Sequence, residues 1–463
     1  MKAMLGTVCL LTFVTAVIGE KTVFRCPPAD QLLPCTCSDT LLPAEVRCES
    51  VDGLDVIQKS LANKWSVPIP RLNLSNANLP ALTPGSFANI SVERLIINGS
   101  NLRFVSDNAF VGAVSLQYLA LTDDRLHEVP TEAIKKVPRL RTLSLAGNLL
   151  SKLDKSSFAG LPNLRFIMLS DNRIATLEPG VFSSKVKHIT IARNRISSFN
   201  SSMRHLTSLG WLYAGGNELQ TVTGELDGLF NVKTLDLSAN QLTTVDGAFK
   251  DLRALQTLNL AYNWIEKIDN TFLSLTHLQI VNLSNNHIST IPEKALRNLT
   301  ELKTLDLSGN FISELGTGLN YLKRLTTLNL SRNSLTGVRL EEIKWLKDLE
   351  ELDLSRNQIA TVDGMFSHHV SKIHNLRLSD NLLKHIHSGI HFLHDLSQLD
   401  ISYNNLATLD KRDLMKNRRL RHLDMTGNPW ECDHSLVRVL QDLDTRMVRI
   451  QGRPMCYPPP DIQ

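Results

Sequence analysis

Three groups of side chains in this sequence are of types that could do chemistry. Seven of the fourteen histidines fall between His368 and His394, and His385 and His387 alternate along an extended stretch, where two rings can share a face. Paired imidazoles are zinc ligands, but no cysteine or carboxylate joins them at a fixed offset to complete a tetrahedral set. They read as loop residues, a pH-sensitive surface being the second use, and neither metal nor cofactor is expected. Lys411, Arg412, Lys416, Arg418, Arg419 and Arg421 crowd eleven residues. Such a cluster can hold a sulfated polysaccharide or an acidic membrane surface, although Asp410 and Asp413 dilute it. Six cysteines follow Cys9: Cys26, Cys35, Cys37, Cys48, Cys432 and Cys456. An even number confined to the two ends reads as disulfides formed in an oxidising compartment.

Catalytic chemistry is not expected. The sequence holds no Gly-x-Ser-x-Gly, no His-Glu-x-x-His, no phosphate-cradling glycine loop and no Cys-x-x-Cys. A net charge of +4 over 463 residues gives no concentrated basic face for nucleic acid.

The elements that must position these residues are set by an internal period. The string Leu-x-Leu-x-x-Asn-x-Leu recurs, as in Leu143-Ser-Leu-Ala-Gly-Asn148-Leu-Leu150 and Leu235-Asp-Leu-Ser-Ala-Asn240-Gln-Leu242. The Asn slot falls at 148, 172, 194, 217, 240, 263, 286, 310, 333, 357, 381, 404 and 428, and three weaker copies carry Ala77, Ser100 and Asp124 there. These are repeats 1 to 16 in chain order. Alternating leucines point one way from a short strand and the residues between them point the other. One repeat cannot bury its leucines alone, so the copies stack into a continuous core. The slot Asn sits where the strand turns away and can satisfy backbone groups that burial would leave unpaired. About ten residues later comes a large apolar residue (Phe87, Phe110, Phe158, Phe182, Phe249, Phe272 or Phe366, with Leu296 and Ile343 as substitutes) to fill the far wall.

With sixteen in-register copies, the pattern resembles the typical extracellular class of leucine-rich-repeat proteins. The resemblance covers about nine-tenths of residues 20–463. It implies an α/β solenoid: a right-handed horseshoe with a parallel sheet on its concave face, about sixteen repeats long, with disulfide-capped ends. Cys26-x8-Cys-x-Cys37-x10-Cys48 resembles the family's N-terminal cap and implies the pairs Cys26–Cys37 and Cys35–Cys48. Asn428-Pro-Trp-Glu-Cys432 resembles the start of the C-terminal cap, but His434 replaces the usual second cysteine. The simplest reading is a single bridge, Cys432–Cys456, in a partial cap. The stretch from Cys26 to Cys37 is also similar to the N-terminal cap of arthropod secreted repeat proteins. One group of these is named after the non-catalytic subunit of a shrimp luciferase; the resemblance suggests lineage, not light emission.

The start of the chain carries a basic Met1-Lys2, an apolar run from Leu5 to Ile18, and small residues at Val17 and Gly19. Residues 1–19 are expected to be a cleaved signal peptide, 20–54 the N-terminal cap, 55–429 the array and 430–463 the C-terminal cap. No later segment is apolar over 18 residues and no lipid-anchor tail is present, so a secreted, extracellular product without a transmembrane anchor is expected. Sequons stand at Asn73, Asn89, Asn98, Asn200, Asn282, Asn298 and Asn329. Asn89, Asn200 and Asn298 fall off the strands and are the favoured glycan acceptors.

Sixteen strands at about 4.8 Å give a concave arc of about 70–75 Å. Its C-terminal half is near consensus in the position between the strand leucines: Asp306, Asn329, Asp353, Arg377, Asp400 and Asp424. Asp353, Arg377 and Asp400 should form a weak charge ladder. The N-terminal half departs from consensus, with Ile96, Met168 and Tyr213 in that column and Tyr118, Phe166, His188 and Trp211 in the adjacent one. Adjacent exposed aromatics point to a partner. Tyr118, Phe166, Met168, His188, Trp211 and Tyr213 are therefore the candidate site. The glycines of Gly210-Trp-Leu-Tyr-Ala-Gly-Gly216 suggest a shallow pocket beside Trp211 and Tyr213. The function expected is recognition or adhesion, with a protein ligand on the concave face. The alternatives are a non-catalytic subunit or carrier that stabilises an enzyme or a small apolar ligand, and a matrix component held by the basic cluster. A homodimer is open.

Overall fold

The computed structural model describes residues 24–386 and 389–455. The signal-peptide expectation for residues 1–19, along with His387 and Cys456, lies outside them.

The repeats stack into a parallel β-solenoid, as the period requires. A 19-stranded sheet runs the length of the molecule. Each of the sixteen repeats contributes one strand, from Arg71–Ser75 to His422–Asp424. The strand Glu45–Glu49 of the N-terminal cap and Arg449–Gln451 of the C-terminal cap extend the sheet in parallel at its two ends, and Thr36–Ser38 closes the N-terminal edge antiparallel. The opposite wall is built of turns, of short helices such as Thr131–Ile134 and Leu340–Ile343, and of two small paired strands, Ala81–Leu82 with Phe104–Val105 and Lys152–Leu153 with Thr176–Leu177. Hydrogen-bonded strands pack about 4.8 Å apart while turns and helices need more room, so the stack curves towards the sheet.

Within each strand the side chains alternate between core and solvent, giving exposed–buried–partly exposed triplets such as Trp211–Tyr213. The leucines fill one continuous core. Phe87, Phe110, Phe158, Phe182, Phe249, Phe272 and Phe366 are all buried on the far wall, with Leu296 and Ile343 in the same layer. Phe87 stacks on Phe110 at 5.9 Å and Phe158 on Phe182 at 5.8 Å.

The slot asparagines form a buried ladder. Asn263 Oδ1 accepts from the Leu242 N–H of the preceding repeat (3.1 Å), and its Nδ2 donates to the carbonyls of Leu237 (3.0 Å) and Leu260 (3.0 Å). The same bonds recur from Asn148 to Asn428, as at Asn148 and Asn428. The residue just before the slot is left-handed in every repeat, from Asn76 (φ 51°) to Gly427 (φ 72°). Ten of these sixteen residues are Gly, Asn or Asp, which adopt this conformation readily, whereas at Arg193, Ala239, Tyr262, Arg332, Arg356 and Tyr403 it costs about 1 kcal/mol or more and is imposed by the ladder. In the weaker copies backbone groups around the slot find other acceptors, the Leu79 N–H going to the Ser100 carbonyl (3.0 Å). Ser100 Oγ takes the Ala77 N–H (3.2 Å), and Asp124 Oδ1 takes the N–H groups of Ser100 (2.8 Å) and Leu102 (2.9 Å). Asp124 Oδ2 stands where the amide would donate, buried and without a partner, and burial pushes its carboxyl up to about 6.

Both expected N-terminal bridges form, Cys26–Cys37 and Cys35–Cys48. Phe24 and Trp65 stack beside them at 6.0 Å. At the other end the helix His434–Thr445 lies over the last repeat. Asp433 caps it by accepting from the Leu436 N–H (2.7 Å), and Leu436, Val439, Leu440 and Leu443 recur at helical spacing to cover the exposed core. Cys432 is disulfide-bonded. Among the described residues no helix is long and apolar enough to cross a membrane.

Two outcomes test the ladder. Asn263→Ala strands one backbone donor and two carbonyls in the core, and lowers unfolding free energy in a denaturant titration by about 3 kcal/mol. Asp124→Asn restores the missing donor. Because the native carboxyl holds its proton up to about 6, against 3.8 normally, wild-type stability falls as pH rises between those values. The variant therefore gains about 1–2 kcal/mol at pH 7 and nothing at pH 3.

Candidate functional site

The strands Phe166–Met168, His188–Thr190 and Trp211–Tyr213 are consecutive and in register. Phe166, His188 and Trp211 stand in one solvent-facing column, and Met168, Thr190 and Tyr213 in the next. The rings meet through His188, whose imidazole lies 6.1 Å from Phe166, 6.2 Å from Trp211 and 5.4 Å from Tyr213. Threonines bound the group: Thr142 precedes Phe166 and Thr234 follows Trp211. Phe166 and Trp211 each keep 37% of their surface exposed. Burial among the rings lowers the His188 pKa, so the platform is uncharged at neutral pH. His188 stacks on Trp211 and is tilted against Phe166 and Tyr213.

Tyr118 shares the column but not the cluster. Thr142 separates it from Phe166, and the Arg94 guanidinium covers its ring at 4.8 Å. The glycines of repeat 7 do not open a pocket. A Cβ on Gly215 would lie 2.8 Å from Ser238 Oγ and 3.2 Å from the Ser238 carbonyl, and one on Gly216 would lie 3.1 Å from the Arg193 side chain. Their small size admits the neighbouring repeats. Concavities on the sheet lie instead in the consensus half. One of about 90 Å³ lies between Thr327 and Arg377, and one of about 350 Å³ is lined by Arg377, Asp400, His422, Asp424 and Arg449. The expected charge ladder there is only half formed: Arg377 reaches Asp353 (3.3 Å), while Asp400 accepts from the N–H and hydroxyl of Ser402.

The basic cluster is divided by local partners. Arg412 is held by Asp410 (3.0 Å) and Arg419 pairs with Asp395, while Lys416, Arg418 and Arg421 are exposed and make no ion pair with a described residue. Among the sequons, Asn89 is exposed on a turn. Asn200 and Asn298 donate to the Leu177 (3.0 Å) and Leu273 (2.6 Å) carbonyls of the preceding repeats. Asn98 donates to Thr122 and Asp123, and Asn73, Asn282 and Asn329 are partly exposed, Asn73 in the middle of its strand and the other two at the ends of theirs. No group of three or more histidine, cysteine or carboxylate side chains placed to hold a metal occurs among the described residues. The structure also shows a second aromatic group, Tyr262, Trp264, His287 and Phe311, on the positions flanking the slot Asn. Reading those two positions down the repeats, rather than the strand columns alone, would have found it.

The family model described as "Leucine rich repeat" matches the sequence in eight stretches: residues 69–126, 115–174, 167–219, 224–265, 263–312, 300–359, 323–371 and 371–429. None of the curated proteins matches it. Among solved structures, a leucine-rich-repeat protein of Leptospira interrogans is 26% identical and superposes with a TM-score of 0.71, covering 82% of this chain and 95% of that one. Toll from the glycosylated Drosophila Toll–Spätzle complex is 17% identical, with a TM-score of 0.65 and coverage of 94% and 76%. The plant peptide hormone receptor RGFR1, in complex with RGF2, is 21% identical, with a TM-score of 0.59 and coverage of 82% and 69%.

If Gly215 is small to admit Ser238, Gly215→Ala costs about 1–3 kcal/mol in a denaturant titration. An unchanged midpoint would mean that the backbone there is open after all.

Proposed function

We propose that this chain, which belongs to the leucine-rich-repeat family, is a secreted recognition protein that binds a protein ligand on the concave face of its sheet, at Phe166, Met168, His188, Trp211 and Tyr213. The observation that carries this reading is the exposed, uncharged ring cluster centred on His188. Solvated faces of a solenoid are ordinarily small and polar, as Thr234, Thr257, Thr304 and Thr327 are in the same column. Large rings there are costly in water unless a partner covers them, and Trp and Tyr are the residues that most often carry interface energy. The cluster lies open on the sheet, which suits a protein surface better than a small apolar ligand. Secretion is supported by the apolar run Leu5–Ile18 and by the disulfides of the N-terminal cap. Two solenoids of similar fold are known in complexes, Toll with Spätzle and RGFR1 with RGF2. Glycans at Asn89, Asn200 and Asn298, which lie off the strands, would leave this face open.

Affinity capture with the secreted protein, followed by titration of the captured ligand, tests the reading. Trp211→Ala with Tyr213→Ala weakens binding by about 100-fold or more and leaves the thermal melt within about 2 °C; unaltered binding rejects the site. Binding buries His188 further and disfavours its charged form. Affinity is therefore level above the ordinary histidine range and falls as pH drops below 6.5. His188→Gln removes that fall.

A further inference from the structure

The net charge of +4 conceals a strong local imbalance. Repeats 4 to 6, residues 139–207, hold eleven lysines and arginines against three carboxylates, so the rest of the chain is net acidic. Two of these repeats carry Phe166 and His188, and the cations beside those rings are in rows. Arg141, Arg165 and Lys187 each stand one residue before the strand column of Thr142, Phe166 and His188. Backbone bonds hold them in register: the Arg165 N–H donates to the Arg141 carbonyl (2.9 Å) and the Lys187 N–H to the Arg165 carbonyl (2.8 Å). Two residues earlier, beyond the buried Leu140 and Val186, Arg139 and Lys185 begin a second row. Arg165 is partly exposed and the other four are exposed.

No carboxylate answers these cations. None of the five makes an ion pair with a described residue, and Arg165 donates to the carbonyls of Pro162 (3.1 Å) and Leu164 (2.9 Å). The three carboxylates of repeats 4 to 6 lie elsewhere. Asp171 is held by Arg193 (2.5 Å) past the far ends of the strands, while Asp154 and Glu178 follow the short strands of the opposite wall and accept from the N–H groups of Ser156 (3.0 Å) and Lys155 (2.9 Å). The column of Arg141, Arg165 and Lys187 holds no carboxylate from Gln117 to Lys303. Like charges stacked in register repel, so the row is complete only with a counter-charge from outside.

We propose that the partner of the concave face is an acidic protein segment, whose apolar side chains cover the rings while its carboxylates meet the cations beside them. This rests on the recognition reading above and narrows the partner's chemistry. Rings and cations together choose the occupant. A sulfated polysaccharide satisfies the cations and brings nothing apolar to Phe166, Met168 and Trp211; an uncharged protein surface does the reverse. The row spans three repeats, about 10 Å, which a few residues of polypeptide cover and which is short for a nucleic-acid backbone tracked over many phosphates. The cations steer the encounter, and the rings hold what arrives.

Binding of the full chain to an immobilised random copolymer of glutamate and tyrosine tests this, with polyglutamate, heparin and polyuridylic acid for comparison. At about 50 mM salt the copolymer binds with a Kd of about 10 µM or tighter, about ten-fold tighter than polyglutamate, and it weakens about ten-fold at about 500 mM salt. Arg141→Glu with Arg165→Glu and Lys187→Glu weakens it by about 30-fold or more, whereas Arg141→Lys with Arg165→Lys keeps it within about three-fold. Lys152→Glu with Lys155→Glu, on the opposite wall of the same repeats, changes it by less than about two-fold. Absence of binding overturns the proposal, as does a copolymer that ignores the triple variant or is matched by polyglutamate. Heparin or polyuridylic acid bound more tightly than the copolymer overturns it too and assigns the row to another polyanion. A captured protein ligand that Trp211→Ala with Tyr213→Ala weakens and the triple variant does not overturns this proposal alone; one that neither weakens rejects the recognition site as well.

Discussion

Everything in this molecule depends on one obligation: the backbone that turns out of each strand is buried, and its polar groups must be paired. A carboxamide meets it completely, because a single side chain both accepts and donates. Asn263 takes an N–H from the repeat below and gives its own hydrogens to carbonyls of that repeat and its own. The bond set crosses the repeat boundary, so it joins turns to one another as well as closing each one. Leucines supply the driving force for stacking, but they are non-directional. The asparagines fix the height and azimuth at which each turn lands on the last. The left-handed residue before each slot follows from the same obligation, even where Tyr262 or Arg332 must adopt it.

Because the ladder holds every turn in the same pose, a residue's place in its repeat dictates its place on the surface. Surface chemistry is then written in columns. The solvent column of the strands gives Phe166, His188 and Trp211 in sequence, and exchange of one polar consensus residue for a ring changes the face without disturbing the turn beneath. The lateral columns beside the slot Asn behave likewise: Tyr262 and Trp264 sit on a turn whose buried parts, Leu260 and Ile265, are as fully buried and aliphatic as Leu237, Leu242, Leu283 and Ile288 in its neighbours. Scaffold and surface are separable, which is why sixteen nearly identical turns can carry two distinct aromatic groups and a run of ordinary polar ones.

This separation also explains what could be read from the sequence. The period, the strand of every repeat and the buried phenylalanines were legible because each is tied to the repeat, and the N-terminal bridges because their cysteine spacing resembles a family cap. So was the ring cluster, since strand alternation alone places Phe166, His188 and Trp211 together. The rest depends on contacts between repeats that no single repeat displays. Gly215 looked like open backbone until Ser238 of the next turn was seen against it. Tyr118 looked like a member of the cluster until Thr142 came between and Arg94 covered it. Arg377 had two candidate partners, Asp353 and Asp400, and takes Asp353, although each carboxylate is engaged alike by the serine two residues on. The lateral rings escaped because the Leu-x-Leu pattern draws the eye to the strands and leaves the positions beside the asparagine looking like mere spacers.

The rigid stacking has a last consequence, for the distance between the two aromatic groups. Repeat 8 separates the turn bearing Trp211 and Tyr213 from the turn bearing Tyr262 and Trp264, and its own surface residues, Asp236, Ala239 and Gln241, are small or polar. Loss or duplication of that one unit would leave both groups intact and alter only the offset between them, by about 4.8 Å. The number of turns is thus a measured length, a ruler graduated in whole repeats. Relatives that keep every ring but differ by one turn would hold the same two surfaces at a different spacing.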